Sequence, residues 1–155
     1  MYERLSDIHD LVIEKYEAQL IDLQSLLQLI GSGSIEVKLV GALGLRLLLH
    51  KYGSSVQGEL FHNVDFVKAL IAAMISEPNI YIQLEFSNCI SWISKTQRGL
   101  PIERLAKDCS FPTSMLICMR DCAQKYHTEG KKHPKIAELY IEMISTNLWT
   151  ACLIA

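Results

Sequence analysis

Ser34-Ile35-Glu36-Val37-Lys38-Leu39 and Asn79-Ile80-Tyr81-Ile82-Gln83-Leu84 are the two stretches whose reading decides the fold. Each alternates apolar with polar side chains, the period of a strand with one buried face. Each also continues without a turn signal into a longer apolar segment, ending near Leu49 and Ile93. Strands of that length are unusual, whereas helices of about 15–18 residues are ordinary, so both stretches read as helix. The two hexapeptides superpose at an offset of 45, and further along Leu45 meets Ile90, Leu47 meets Trp92 and Leu48 meets Ile93. The segments before them correspond at an offset of 43, with Asp22-Leu23 over Asp65-Phe66 and Leu27 over Leu70. A third, fainter copy places Pro112 to Met119 after a short helix and Ile136 to Ile144 after a loop.

Working outward, Pro78, Pro101, Pro112 and Pro134 each precede a run with helical spacing of apolar residues. Proline in the first turn of a helix sacrifices no hydrogen bond and already has the required φ. Ser110 stands where it could cap the helix after Pro112. The breaks predict helices over 3–18, 20–30, 35–52, 56–62, 65–76, 79–95, 101–108, 112–126 and 134–148, and since no breaker separates the first two, one continuous helix there stays open. Short polar links such as Gly31-Ser32-Gly33-Ser34 suit helices packed side by side. A period in the low forties with two or three helices per unit indicates a helical solenoid, in which each unit buries its apolar face against its neighbours.

Val56 to Leu70 resembles the first two helices of an armadillo repeat, and Asn79 to Ser94 resembles its third and longest helix. The resemblance covers most of the chain as one domain, 1–155, with approximate units 1–53, 54–96 and 97–150. HEAT repeats and other stacked helical hairpins share the pattern. The resemblance implies an all-α fold, a right-handed superhelix of stacked repeats, in which the third helices line a concave groove. Gly41 and Gly44 fall in the first unit's third helix, where the family favours small residues for close helix contact.

Armadillo proteins that hold extended peptides carry a tryptophan followed four residues later by an asparagine on that helix. The corresponding positions here are Leu43 and Leu47, then Asn88 and Trp92 in reversed order, then Glu142 and Thr146, so no asparagine ladder is present. Glu85, Asn88 and Trp92 share one helix face, and with Leu43 and Leu47 they suit an apolar or amphipathic helical guest. The resemblance therefore implies a non-enzymatic protein-interaction scaffold whose partner, a peptide or an amphipathic helix, meets Leu43, Leu47, Glu85, Asn88, Trp92, Glu142, Thr146 and Trp149. Core packing is the competing reading for the leucines and for both tryptophans. Trp149 belongs to the apolar segment Leu148 to Ile154, an end that wants covering and leaves homodimerisation open.

Composition narrows the classes. Half of the 155 residues are apolar and 21% are charged, which excludes intrinsic disorder. A net charge of −2 argues against a nucleic-acid partner. Five cysteines without framework spacing place the chain in a reducing, intracellular setting, cytoplasmic or nuclear. No membrane association is expected: Arg46 breaks the greasiest run, Leu39 to Leu49. Cys152-Leu153-Ile154-Ala155 formally fits a prenylation box but lacks the accompanying basic tract.

Chemistry-bearing motifs are sparse, and no cofactor, metal or catalytic residue is expected. Gly31-Ser32-Gly33 lacks the rest of a phosphate loop. Cys118, Cys122, His127 and His133 could be a ligand set, yet Met115, Cys118, Met119, Cys122 and Tyr126 form an ordinary buried stripe. His9 and Asp10 are neighbours that should point apart on a helix, while His50 and His62 read as solvated. A pocket of converging titratable groups is what would reopen catalysis. Lys125, Lys131, Lys132 and Lys135 form a basic cluster around a loop, which supports a second reading as a compact adaptor for acidic or phosphorylated tails or lipid headgroups.

Overall fold

The computed structural model describes residues 2–52, 64–95, 107 and 111–154. Its elements are α1 (Tyr2–Lys15), a 3₁₀ turn (Leu20–Asp22), α2 (Leu23–Ile30), α3 (Ile35–Tyr52), α4 (Val64–Ser76), α5 (Ile80–Lys95), α6 (Phe111–Lys125), a π-helical turn (Tyr126–Gly130) and α7 (Pro134–Ile154). There is no strand among the described residues, so the alternating stretches at 35–39 and 80–84 are helical. The expected helices over 56–62 and 101–108, with His62 and the Ser110 cap, lie outside the described residues apart from Lys107.

The superposed hexapeptides begin their helices in the same way. Ser34 Oγ accepts from the Val37 amide at 3.5 Å, and Asn79 Oδ1 accepts from the Tyr81 and Ile82 amides at 3.0 and 3.4 Å. These side chains satisfy donors that the first turn of a helix otherwise leaves open. Pro134 opens α7 as expected. The first helix is shorter than expected and separate from the second. It stops at Lys15, and the Tyr16 hydroxyl donates to Asp22 at 2.9 Å, closing the link before the 3₁₀ turn. Two other bounds also differ: α6 extends through a π-helical turn into the expected loop, and α7 runs on to Ile154.

Among the described residues three antiparallel pairs are built, α2 with α3, α4 with α5 and α6 with α7, and α5 packs between α3 and α7. The helical step of about 100° per residue separates the two faces of this central row. Gly44 meets Leu26 of α2 while Arg46, two positions on, meets Glu85. Gln83 donates to the Met74 carbonyl of α4 at 2.9 Å while Glu85 faces the other way. Tyr140 donates to Glu129 at 2.7 Å while Glu142 lines a cavity on the opposite side. So α2, α4 and α6 back the row on one face, and α1 lies on the other. The core sits between the layers, with Leu39, Leu45, Leu48, Met74, Ile82, Ile90 and Met143 fully buried. A methyl group at Gly41 would stand 2.9 Å from backbone atoms of Ile30 and Leu26, which is why α2 can approach so closely there.

Candidate partner-binding face

Among the described residues, the face of the row that α1 occupies carries one depression under α1 and another beyond it. The first lies under α1. There Arg46 of α3 forms an ion pair with Glu85 of α5, whose residue surface is only 3% exposed. His9 of α1 places Nε2 3.8 Å from the same carboxylate and Nδ1 3.2 Å from Asp10 Oδ1. The expectation that His9 and Asp10 diverge is thus corrected: side-chain rotation brings neighbours together despite their backbone directions. Glu138 and Glu142 of α7 close the far side of a cavity of about 360 Å³, with Lys135 at its edge. Burial pushes the Glu85 carboxyl above its ordinary range, opposed by Arg46 and then His9, and reinforced by Glu142.

The second depression lies between α5 and α7, beyond the reach of α1. Asn88, Ser91, Ser145, Thr146 and Trp149 frame about 360 Å³ there, and Trp149 is 47% exposed. Asn88 borders both depressions. Trp92 sits half-buried on α5 one turn further, its ring 4.6 Å from that of His50. His50 is exposed yet tied to an aromatic neighbour, rather than simply solvated.

The expected groove residues therefore divide. Asn88, Thr146 and Trp149 come together. Glu85 and Glu142 belong to the acidic cavity under α1. Leu47 is half-buried against the core. Leu43 is fully buried and belongs to the core, because α3 is enclosed by α1, α2 and α5 at that level and has no free face.

The basic cluster divides as well. Lys131, Lys132 and Lys135 are exposed and Lys125 is partly so, but Lys135 borders the acidic cavity. Of the four residues weighed as a ligand set, Cys118 and Cys122 are buried, with thiols pushed up to about 11 and about 12, while His127 and His133 are exposed and lie against Tyr126 and Tyr2. Cys122 Sγ is 3.9 Å from Gln83 Oε1, inside the core.

Sequence reasoning missed the Arg46–Glu85 pair as a site feature. The signal was present, since each is the lone charge in the central part of an otherwise uncharged helical stretch and the two signs are opposite. Among the described residues no helix is long and apolar enough to cross a membrane. Comparison of the chain with family models, with curated proteins and with solved structures finds no match.

Proposed function

We propose that α3, α5 and α7 are the inner wall of a short armadillo-like superhelix, and that the chain is a non-enzymatic scaffold holding a protein partner against this wall. The observation that carries the reading is the convergence of Asn88, Thr146 and Trp149 on one open depression. An indole half in water beside amide and hydroxyl groups is the kind of anchor that partner surfaces use. Titratable groups do converge under α1, but His9 has a carboxylate near each ring nitrogen, so neither nitrogen is set against a hydroxyl or thiol nucleophile. That arrangement supports an electrostatic clamp rather than a catalytic centre. The basic-loop adaptor is supported less, because Lys135 borders the acidic cavity and Glu129 stands within the same loop.

The test is affinity capture from cell extract with the full chain and two surface variants, each verified as folded by circular dichroism. Trp149→Glu should lose the specifically retained protein, and the double variant Lys131→Glu, Lys132→Glu should keep it. The reverse pattern would transfer the function to the basic loop.

A further inference from the structure

We propose that the outer face of the α6–α7 pair joins two copies of this chain into a two-fold dimer, α7 running antiparallel to its copy, with Leu148 of each seated in the groove beside Ser145 of the other. This surface lies outside the partner wall assigned above, although Ser145 borders the Trp149 depression as well.

The last helix of the α3–α5–α7 row has two unlike sides. Tyr140, Met143, Asn147 and Thr150 are buried, and α7 packs on α5. Ile141, Ser145, Leu148 and Cys152 are all exposed and follow one another at steps of four, three and four residues. That is the spacing of a coiled-coil seam, along which one helix meets another. On α6, Leu116 stands two turns before Ala123, which lines the same outer side. Leu116, Ile141 and Leu148 are 61%, 51% and 54% exposed. Exposed apolar side chains scattered singly need no explanation, but gathered on one face they mark a contact.

The occupant that fits this face is the same face of a second copy. Ala123, Tyr126, His127, Ile141, Ile144 and Ser145 frame an open groove of about 370 Å³, and Leu148 stands one turn further along α7. Knob and hole thus lie side by side on one surface. Antiparallel copies crossing between Ser145 and Leu148 put each leucine into the other's groove, so every contact is made twice, as a two-fold interface requires. Self-contact also demands a face on which no charge meets its own copy. The α7 stripe carries no charge, and on α6 Arg120 lies 3.5 Å from Asp121, which offsets it. Glu138 and Glu142 flank the stripe. Parallel helices would set each level with its own copy, whereas antiparallel ones set them toward the uncharged stretch from Trp149 to Cys152.

The area sets the strength. At 1.5 Å per residue the 15 residues of α6 run about 22 Å, and two helices side by side are about 20 Å wide, so each copy offers roughly 500 Å². Two such faces together bury about 1,000 Å², the lower bound for a specific interface, which makes the dimer one of micromolar affinity.

Sedimentation velocity of the full chain from about 1 to about 300 µM tests this. The weight-average mass should climb from 17.5 kDa toward twice that value and stop there, with the midpoint at roughly tens of micromolar. Leu148→Glu and Ser145→Lys, each verified as folded by circular dichroism, should weaken association at least about tenfold and leave the chain monomeric. An equimolar mixture of the two should return to a dimer, because the introduced carboxylate meets the introduced ammonium across one half of the contact while the other half stays wild type. No rise in mass for wild type, growth past the dimer, association that survives Leu148→Glu, or a mixture that stays monomeric overturns the proposal. If either variant fails to fold, Leu116→Glu on the same face takes its place and should likewise abolish the dimer. No second protein enters these measurements, so failure here is distinguishable from failure of the Trp149 depression as a partner site.

Discussion

The Ser87 hydroxyl on α5 donates to the side-chain carbonyl of Asn147 on α7 at 3.3 Å, and Asn147 in turn donates to the Met143 carbonyl at 2.9 Å, all sealed from solvent. This chain of polar groups is what registers the second helical pair against the third. Buried amides persist only where their hydrogen-bonding capacity is met. Asn147→Ala should therefore destabilise the chain by about 2 kcal/mol, combining a small cavity with a stranded Ser87 hydroxyl. A double-mutant cycle with Ser87→Ala, read by urea unfolding, should return a coupling of about 0.5–1.5 kcal/mol.

The close approach of α2 to α3 makes a graded prediction. At Gly41 an added methyl group meets backbone atoms of Leu26 and Ile30, which move only if the whole helix moves. At Gly44 it meets the far end of the Leu26 side chain, which can rotate away. Gly41→Ala should cost about 1–3 kcal/mol, and Gly44→Ala distinctly less, in the same unfolding assay. Equal costs would mean that α2 does not seat this closely against α3.

Glu85 gives the pH dependence. Burial raises its carboxyl pKa above the ordinary 4.5 despite Arg46 and His9, so the folded chain holds this proton more tightly than the unfolded chain. Its contribution to stability is fully present below 4.5 and is lost as pH rises through the folded-state pKa. Unfolding free energies across mildly acid to neutral pH should decline more steeply for wild type than for Glu85→Gln. Parallel profiles would show that Glu85 is not the group responsible.

Thiol reactivity should follow burial. Cys152 is exposed on α7, whereas Cys89, Cys118 and Cys122 are buried and their thiols are all pushed upward, chiefly by desolvation. Brief iodoacetamide treatment at mildly alkaline pH, read by peptide mass spectrometry, should label Cys152 at least about tenfold faster than those three. Denaturant should equalise them.

Much of the helical layout was legible in the two hexapeptides, because an alternating start that runs on into a long apolar segment exceeds the usual strand length, and the structure adds that Ser34 and Asn79 cap both helices. The partnership of α3 with α5 followed from the same overlay. What the sequence could not disclose was the side of the row on which α1 would lie. That choice depends on which face α2 and α4 leave open, a tertiary outcome with no local signature. It decided the fate of Leu43, which an overlay assigns to the same position as Asn88 but which α1, α2 and α5 enclose. Tyr16 was likewise read as helix, and its hydrogen bond to Asp22 ends the helix instead. Arg46 and Glu85 were visible as isolated charges, but their pairing needed the distance between two helices rather than their spacing in one.

The paired caps at Ser34 and Asn79 act as clock-setting marks. Every residue after such a mark inherits a fixed angular phase, so the stretch from Asn79 to Glu85 behaves like a dial with a set number of steps. Inserting a single alanine within it would advance everything beyond by about 100° and swing the carboxylate of Glu85 out toward a neighbouring layer. Point substitutions in that stretch are matters of degree, whereas a change in its length would scramble the whole arrangement.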